Sequence, residues 1–406
     1  MLTPLGDARA RVLHHCHRLP VVVVPLDEAL GCVTADAVTS AELVPPFANT
    51  AMDGFAVRAA DTAGATDAAP VRLGVVGTIA AGTAGDLPVG PGQAARIMTG
   101  APLPPGADAV VMVELTTTED DVVLVRAEVA PGNHVRRAGD DLRPGDPVVA
   151  AGTELTPGHL GVLAGIGRLE VAVVRRARVG VMSTGDELVE GPVELRPGQI
   201  RDSNRRALVA LLHEAGCEPV DLGIVPDDPA RIAAAIEAGV ASCDALVTSG
   251  GVSMGDFDHV KVVLDQLGEM TWMQVAIKPA KPLAFGTVRG VPVFGLPGNP
   301  VSSMVSFELF ARPGLRRMMG HETSGRLVVD AVADEGLHRH PDGKVHFVRA
   351  LAAWGDDGRF HVRSAGAQGS HQLSAMAAAN ALAVVPDGSG VAPGGTVEAI
   401  LLGTGV

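Results

Sequence analysis

Between residues 170 and 319 the chain alternates three times between a short apolar run and a longer segment of helical periodicity. "ARVGVMST" precedes "NRRALVALLHEAG", in which Leu208, Leu211 and Leu212 share a face; "EPVDLGIV" precedes "DPARIAAAIEAG"; "DALVTS" precedes "DHVKVVLDQLG". Strands separated by helices at this spacing form a largely parallel sheet covered on both sides. Such sheets bind ligands outside the carboxyl ends of their strands. That rule puts Ser183–Glu187, Asp227 with Asp228, and Thr248–Asp258 on one rim.

The flanks have a different rhythm. Residues 1–45 read as one helix followed by a second short one over 26–36. From Val44 onward prolines and glycines punctuate β-like runs such as "VRLGVVGTI" and "DAVVMVE", the habit of an all-β unit that ends near residues 131–152. A helix is expected over 157–166, opened by Pro157. Residues 320–406 return to short β runs that suit a small barrel or sandwich. The fold class is therefore multidomain α/β plus β: a central, mostly parallel α/β domain, a small β domain and a barrel-like C-terminal domain.

Bulk properties narrow the function. With 47% apolar and 19% charged residues, the 406-residue chain reads as an ordinary globular protein. A net charge of −14 argues against a general nucleic-acid binder, so any anionic substrate needs local cations or a metal to reverse the field. Cys16, Cys32, Cys217 and Cys243 form no CxxC pair and read as buried thiols of a reducing compartment. No early segment has a signal-peptide pattern or the length of a membrane span, and a cytoplasmic location is expected. The cluster "HHCHR" at 14–18 falls on a helix surface and lacks the spacing of a closed metal site, while His338 and His340 in "GLHRHPDGK" read as turn residues.

Three features carry chemistry. The turn "TSGGVSMGDFD" places Ser249, Gly250, Gly251 and Ser253 at a strand end, where backbone N–H groups can face a phosphate, and adds Asp256 and Asp258. With Asp186, Glu187, Asp227 and Asp228 these acids crowd one rim; singly each is a helix cap, but together they repel unless a cation joins them. Hard oxygen donors favour Mg²⁺. "IKPAKPLAFG" presents Lys278 and Lys281 on a track stiffened by Pro279 and Pro282, which suits a compact oxyanion. "GLPGNPVSS" opens a helix whose first N–H groups, with Ser302 and Ser303, offer a further anion contact.

These motifs, with "NTAMDGFAV", "RIMTGAPLPPGADAVVMVE", "VRRAGDDLRPGD", "STGDEL", "GQIRDSN", "HFVRA" and "AQGSHQLSAMAAANAL", resemble in order those of the MoeA-like molybdopterin molybdenumtransferases, the molybdenum insertases related to the C-terminal part of gephyrin. The resemblance spans essentially the whole chain. It implies four domains: a discontinuous first one (1–45 and 138–169), a small β domain (46–137), an α/β molybdopterin-binding domain (170–319) and a C-terminal β-barrel domain (320–406). It further implies a homodimer whose cleft is completed by the partner's small β domain, adenylylated molybdopterin and molybdate as substrates, AMP release, and Mg²⁺. Contact with other proteins of molybdenum cofactor biosynthesis also fits. By resemblance Ser253, Lys278, Lys281, Pro282, Arg349 and Ser370 fall on the molybdate side. Asp186, Glu187, Asp258 and Asp227 or Asp228 form the acidic cation and catalytic set. Asp53, Thr99, Arg136 and Arg137 match the partner-contributed motifs. Two positions depart from the family pattern: Ala280, where the track usually has glycine, and the Phe257 and His259 flanks of Asp258.

Two other functions compete. A molybdopterin adenylyltransferase uses a similar Gly-Gly turn with ATP, but the flanking domains at 46–137 and 320–406 exceed its needs. A non-catalytic scaffold leaves the acidic and lysine sites without a role. Molybdate-dependent AMP release separates both from the insertase.

Overall fold

The structure, a computed structural model, describes residues 2–251 and 259–403. At its centre lies a six-stranded sheet in the order Glu218–Val225, Arg178–Thr184, Ala245–Ser249, Val291–Leu296, Pro282–Val288, Glu269–Gln274. Five strands run one way and Pro282–Val288 runs against them. The expected helices form as Asn204–Glu214, Pro229–Ser242 and His259–Leu267. Leu208 and Leu212 pack with Phe294 in one buried cluster, while Ile232, Ile236 and Leu264 fill another. Each such aliphatic side chain contributes about 1.5–3 kcal/mol of burial free energy. Because the strand directions agree, Thr184, Val225, Gln274, Ser249 and Leu296 all end on one rim.

The N-terminal region departs from the sequence reading in three places. Helix Leu5–His15 packs against the α/β core, with Ala8, Val12 and Cys16 buried in the cluster that holds Phe294 and Leu315. His14 and His17 remain exposed. The segment 26–36 is not a helix: only a 3₁₀ turn, Leu26–Glu28, forms. Gly31 takes φ +73°, and β-branched Val33–Thr34 pair instead with Val173–Val174. Finally, Glu170–Val174, which the sequence rhythm assigns to the α/β unit, is the middle strand of a three-stranded sheet between Val21–Pro25 and Val33–Thr34. Its inward residues Val171 and Val173 complete a cluster with Leu155 and Leu163, the latter on helix Pro157–Gly165.

The small β domain is a six-stranded sheet around Gly54–Val57 and Gln93–Ile97. Phe55, Val57 and Val111 are buried in one cluster, and Ala56, Ala95 and Val110 in another. In the C-terminal region, Val345–Trp354 pairs with both Phe360–Ser364 and Ala381–Val385, and Val328–Ala333 with Thr396–Leu401 closes the circuit into a five-stranded barrel. So narrow a barrel needs small interior residues, which Ala331, Ala350, Ala381, Ala383 and Ala399 supply. His338 is not part of a local hairpin turn: Leu337–His338 pairs with Gly390–Val391. A Cβ at Gly390 would lie 2.0 Å from the Leu337 carbonyl oxygen, so only glycine permits this pairing. Among the described residues no helix is long and apolar enough to cross a membrane.

Candidate active site

Strand Glu269–Gln274 ends on the rim and the chain re-enters the sheet at Pro282, which pairs with Gln274. The intervening lysine track is therefore held on the ligand edge. Ile277–Lys278 also pairs parallel to Val345–His346, which brings the barrel alongside. Between the two lies a cleft of about 660 Å³. Its polar lining includes Lys278, Lys281, Asn299, Ser302, Lys344 and Ser370, and among the described residues no carboxylate. Lys278 and Lys281 are exposed. Lys344, by contrast, donates to Asp342 at 2.8 Å. Ala280 takes φ +70° and is 3% exposed, its methyl packed in the α/β core. That left-handed backbone costs a residue with a Cβ about 1–2 kcal/mol, which is the physical reason a glycine suits this position.

Arg349 does not line the cleft. It is fully buried behind it, and its Nη2 donates to the carbonyls of Ala367 (2.7 Å) and Gly369 (3.2 Å). Its backbone N–H donates to Gln368 Oε1 at 2.9 Å. The guanidinium thus braces the loop that carries Ser370, whose carbonyl in turn accepts from the Val301 N–H at 3.1 Å. Nε and Nη1 of Arg349 have no partner among the described residues, and burial pulls its pKa down.

The glycine turn lies across the rim. Gly250 and Gly251 have φ +96° and +68°, and a Cβ at Gly250 would sit 3.0 Å from the Thr184 carbonyl oxygen. Ser249 is buried beneath the turn. Ser253, Asp256 and Asp258 lie outside the described residues.

The acidic turns are less uniform than their spacing implies. Asp186 and Asp227 come together, the Asp227 N–H donating to Asp186 Oδ1 at 3.1 Å. Asp228 instead caps helix Pro229–Ser242, accepting from the Arg231 N–H at 2.9 Å. Glu187 folds back so that its carboxylate occupies the space a Gly185 side chain would take. Among the described residues no three His, Cys, Asp or Glu side chains converge as a metal-binding group.

In the small β domain, Asp53 accepts from the hydroxyl and the backbone N–H of Thr99 at 2.7 Å each, which holds its carboxyl below the usual range. Arg136 pairs with Asn49 across a two-residue ladder, and the Arg137 N–H donates to Asp140 at 2.6 Å. None of Asp53, Thr99, Arg136 and Arg137 lines the cleft of their own chain.

Sequence reasoning missed several residues. A second cavity of about 550 Å³ shares Lys278, Pro279 and Gln368 with the cleft and is lined by His338, His340 and His346. Asp342 there accepts from Lys344, from Arg339 (2.6 Å) and from His346 (3.2 Å). Lys344, just before strand Val345–Trp354, and His346, two residues on and within it, were the available signal. Asn204 entered the sequence reading only as the last residue of the motif "GQIRDSN", without a role, yet it ties the glycine turn to the Pro297–Asn299 turn.

A multidomain α/β protein with a lysine-lined cleft at the strand ends of its α/β domain is the class that this fold and cleft define. Residues 3–167 match the MoeA N-terminal region (domains I and II), 180–317 a probable molybdopterin binding domain, and 330–402 the MoeA C-terminal region (domain IV). The chain is 41% identical to molybdopterin molybdenumtransferase 2 of Mycobacterium tuberculosis over 90% of its length and 91% of that protein's. It is 38% identical to the molybdopterin molybdenumtransferase of Haemophilus influenzae, with 98% of each chain covered. The molybdopterin biosynthesis MoeA protein from Pyrococcus horikosii superposes with a TM-score of 0.78 at 34% identity, covering 99% of this chain and 100% of its own. The chain belongs to the MoeA family of molybdopterin molybdenumtransferases.

Proposed function

We infer that this protein transfers molybdenum, delivered as molybdate, to molybdopterin in the biosynthesis of the molybdenum cofactor. One observation carries the reading at the level of the site: among the described residues the cleft offers Lys278 and Lys281 without an ion-pair partner and no carboxylate in its lining, in a chain of net charge −14. A dianion entering there meets Lys278 and Lys281, which no carboxylate among the described residues pairs, and the hydroxyls of Ser302 and Ser370 complete its shell.

We propose further that molybdopterin arrives adenylylated and that AMP is released. Two dithiolene sulfurs replace one molybdate oxygen, which leaves as water with the two thiol protons, and a water cleaves the phosphoanhydride. The chain's residues position the reactants: the lysine track holds molybdate, and the Gly250–Gly251 turn presents the Gly251 N–H to the phosphates, the Gly250 N–H being taken by the Leu296 carbonyl. Mg²⁺ fits the acidic turns in a limited way. It commonly takes one or two carboxylates and completes its shell with water and substrate phosphates, so Asp186 and Asp227 suffice while Asp228 is engaged as a cap. When bound, the ion would neutralise phosphate charge at this rim. Because Asp53, Thr99, Arg136 and Arg137 do not line their own chain's cleft, a second copy is proposed to present them, giving a homodimer. Four free, buried cysteines suit a reducing cytoplasm.

The test follows AMP release from adenylylated molybdopterin with and without molybdate, alongside ATP consumption with molybdopterin. Molybdate-dependent AMP release without ATP consumption is expected. ATP-driven adenylylation, or AMP release indifferent to molybdate, overturns the reading.

A further inference from the structure

The two turns that face each other across the rim, Ser249–Gly251 and Pro297–Asn299, follow adjacent parallel strands, Ala245–Ser249 and Val291–Leu296. Strand pairing ends at Ser249 and Leu296, apart from one more contact from the Gly250 N–H to the Leu296 carbonyl at 3.1 Å. Beyond that point the separation of the turns depends on side chains. Both turns are bare where they approach: a Cβ built on Gly298 would lie 3.7 Å from Gly250 Cα.

Among the described residues one side chain bridges them. Asn204, at the start of helix Asn204–Glu214, donates from Nδ2 to Ser249 Oγ at 2.8 Å and to the Gly298 carbonyl at 2.7 Å. The carbonyl can only accept, so it fixes which end of the amide faces the turns, and both amide hydrogens are engaged. The base of Asn204 is itself anchored. Asp202, two residues earlier, accepts from the Ser183 hydroxyl at 3.0 Å and from Arg205 Nε at 2.9 Å, and the Arg205 side chain is almost wholly buried. Asn204 Oδ1 is buried and has no partner among the described residues.

We propose that Asn204 is a positioning residue of the phosphate cradle: it fixes the spacing between the Gly250–Gly251 turn and the Pro297–Asn299 turn that the phosphates of the pterin substrate require. This rests on the function proposed above and deepens it, because it assigns the width of the cradle to one amide that touches neither lysine. Serine or alanine at 204 cannot reach both acceptors. Aspartate would set a carboxylate against the Gly298 carbonyl and close to the phosphates.

The experiment measures KM and kcat for adenylylated molybdopterin, molybdate affinity by calorimetry, and thermal melting, for wild type, Asn204→Ala, Ser249→Ala and the double variant. Asn204→Ala should raise KM for the pterin substrate about tenfold or more, with molybdate affinity within about twofold and melting little changed. Ser249→Ala should move KM the same way by less, and the double variant should be no worse than Asn204→Ala alone, since the two share one contact. Asn204→Asp should raise KM further than Asn204→Ala. An unchanged KM in Asn204→Ala overturns the proposal. So does a loss of pterin and molybdate binding in step with a lowered melting temperature, which is the signature of a merely structural residue. Additive effects of Asn204→Ala and Ser249→Ala also overturn it. If wild type itself fails to turn over adenylylated molybdopterin, the proposed function fails, and a Kd for AMP alone on the same variants decides the cradle role: an unchanged Kd overturns it and a raised one supports it.

Discussion

The lysine track and the acidic turns occupy one sheet rim, yet they are prepared in opposite ways. On the track, Lys278 and Lys281 project from a backbone stiffened by Pro279 and Pro282 into a cleft that no carboxylate lines among the described residues. On the acidic side, Asp186 and Asp228 are already engaged with backbone N–H groups, and Glu187 is folded back on Gly185. A charge with no internal partner is ready for a ligand. One that already accepts hydrogen bonds presents only its remaining lone pairs and mainly shapes its turn. The contrast teaches that counting charges on a rim overstates the binding capacity of its acids and not that of its lysines.

The largest effect that sharpens this contrast is on molybdate. Lys278→Ala or Lys281→Ala should weaken molybdate binding roughly ten- to a hundredfold, corresponding to about 1.5–3 kcal/mol for a lost charge-assisted contact. Asp186→Asn should leave it within about twofold. Titration calorimetry checks all three, and normal molybdate binding by Lys281→Ala would erase the distinction.

Next in size is a split between neighbours. Asp228→Ala removes a helix cap and should lower stability by about 1 kcal/mol, whereas Asp227→Ala should cost less than about half of that. AMP release should show the opposite order, with Asp227→Ala the more damaged. Urea midpoints and turnover on the two variants decide it; equal effects on both readouts would mean that the cap and the rim acid are not separable.

A smaller effect concerns pH. Hydrogen bonds from Lys344 and His346 hold Asp342 well below the usual carboxylate range. Its folded pKa is thus depressed, so its contribution is present above the unfolded value of about 3.9 and is lost as pH falls below it. The side chain is 29% exposed, so less than about 1 kcal/mol is at stake. Denaturation midpoints between pH 6 and pH 3 should fall more steeply in wild type than in Asp342→Asn, and parallel curves would remove Asp342 from the account.

The smallest effect is at Ala280. Glycine there relieves a left-handed backbone at φ +70° but loses a buried methyl and gains unfolded-state freedom. These terms are each about 1 kcal/mol and oppose one another, so the stability of Ala280→Gly should lie within about 0.5 kcal/mol of wild type. A gain or loss well beyond that, by chemical denaturation, would show that one term dominates.

What the amino-acid sequence determined by itself is local or periodic. The strand–helix alternation from Arg178 to Leu267 fixed a parallel sheet, and the prolines beside Lys278 and Lys281 marked a stiff cationic track, because both signals reside within a few consecutive residues. Tertiary structure alone decided which surfaces meet. Helix Leu5–His15 joined the α/β core, since Ala8, Val12 and Cys16 fit a cluster built from residues hundreds of positions away. Asp228 became a cap while Asp186 met Asp227, and Arg349 braced the Ser370 loop from behind instead of facing the cleft. Asn204 found its two acceptors only after two strands had paired. Side-chain direction depends on where distant backbone comes to lie, and no local pattern records that.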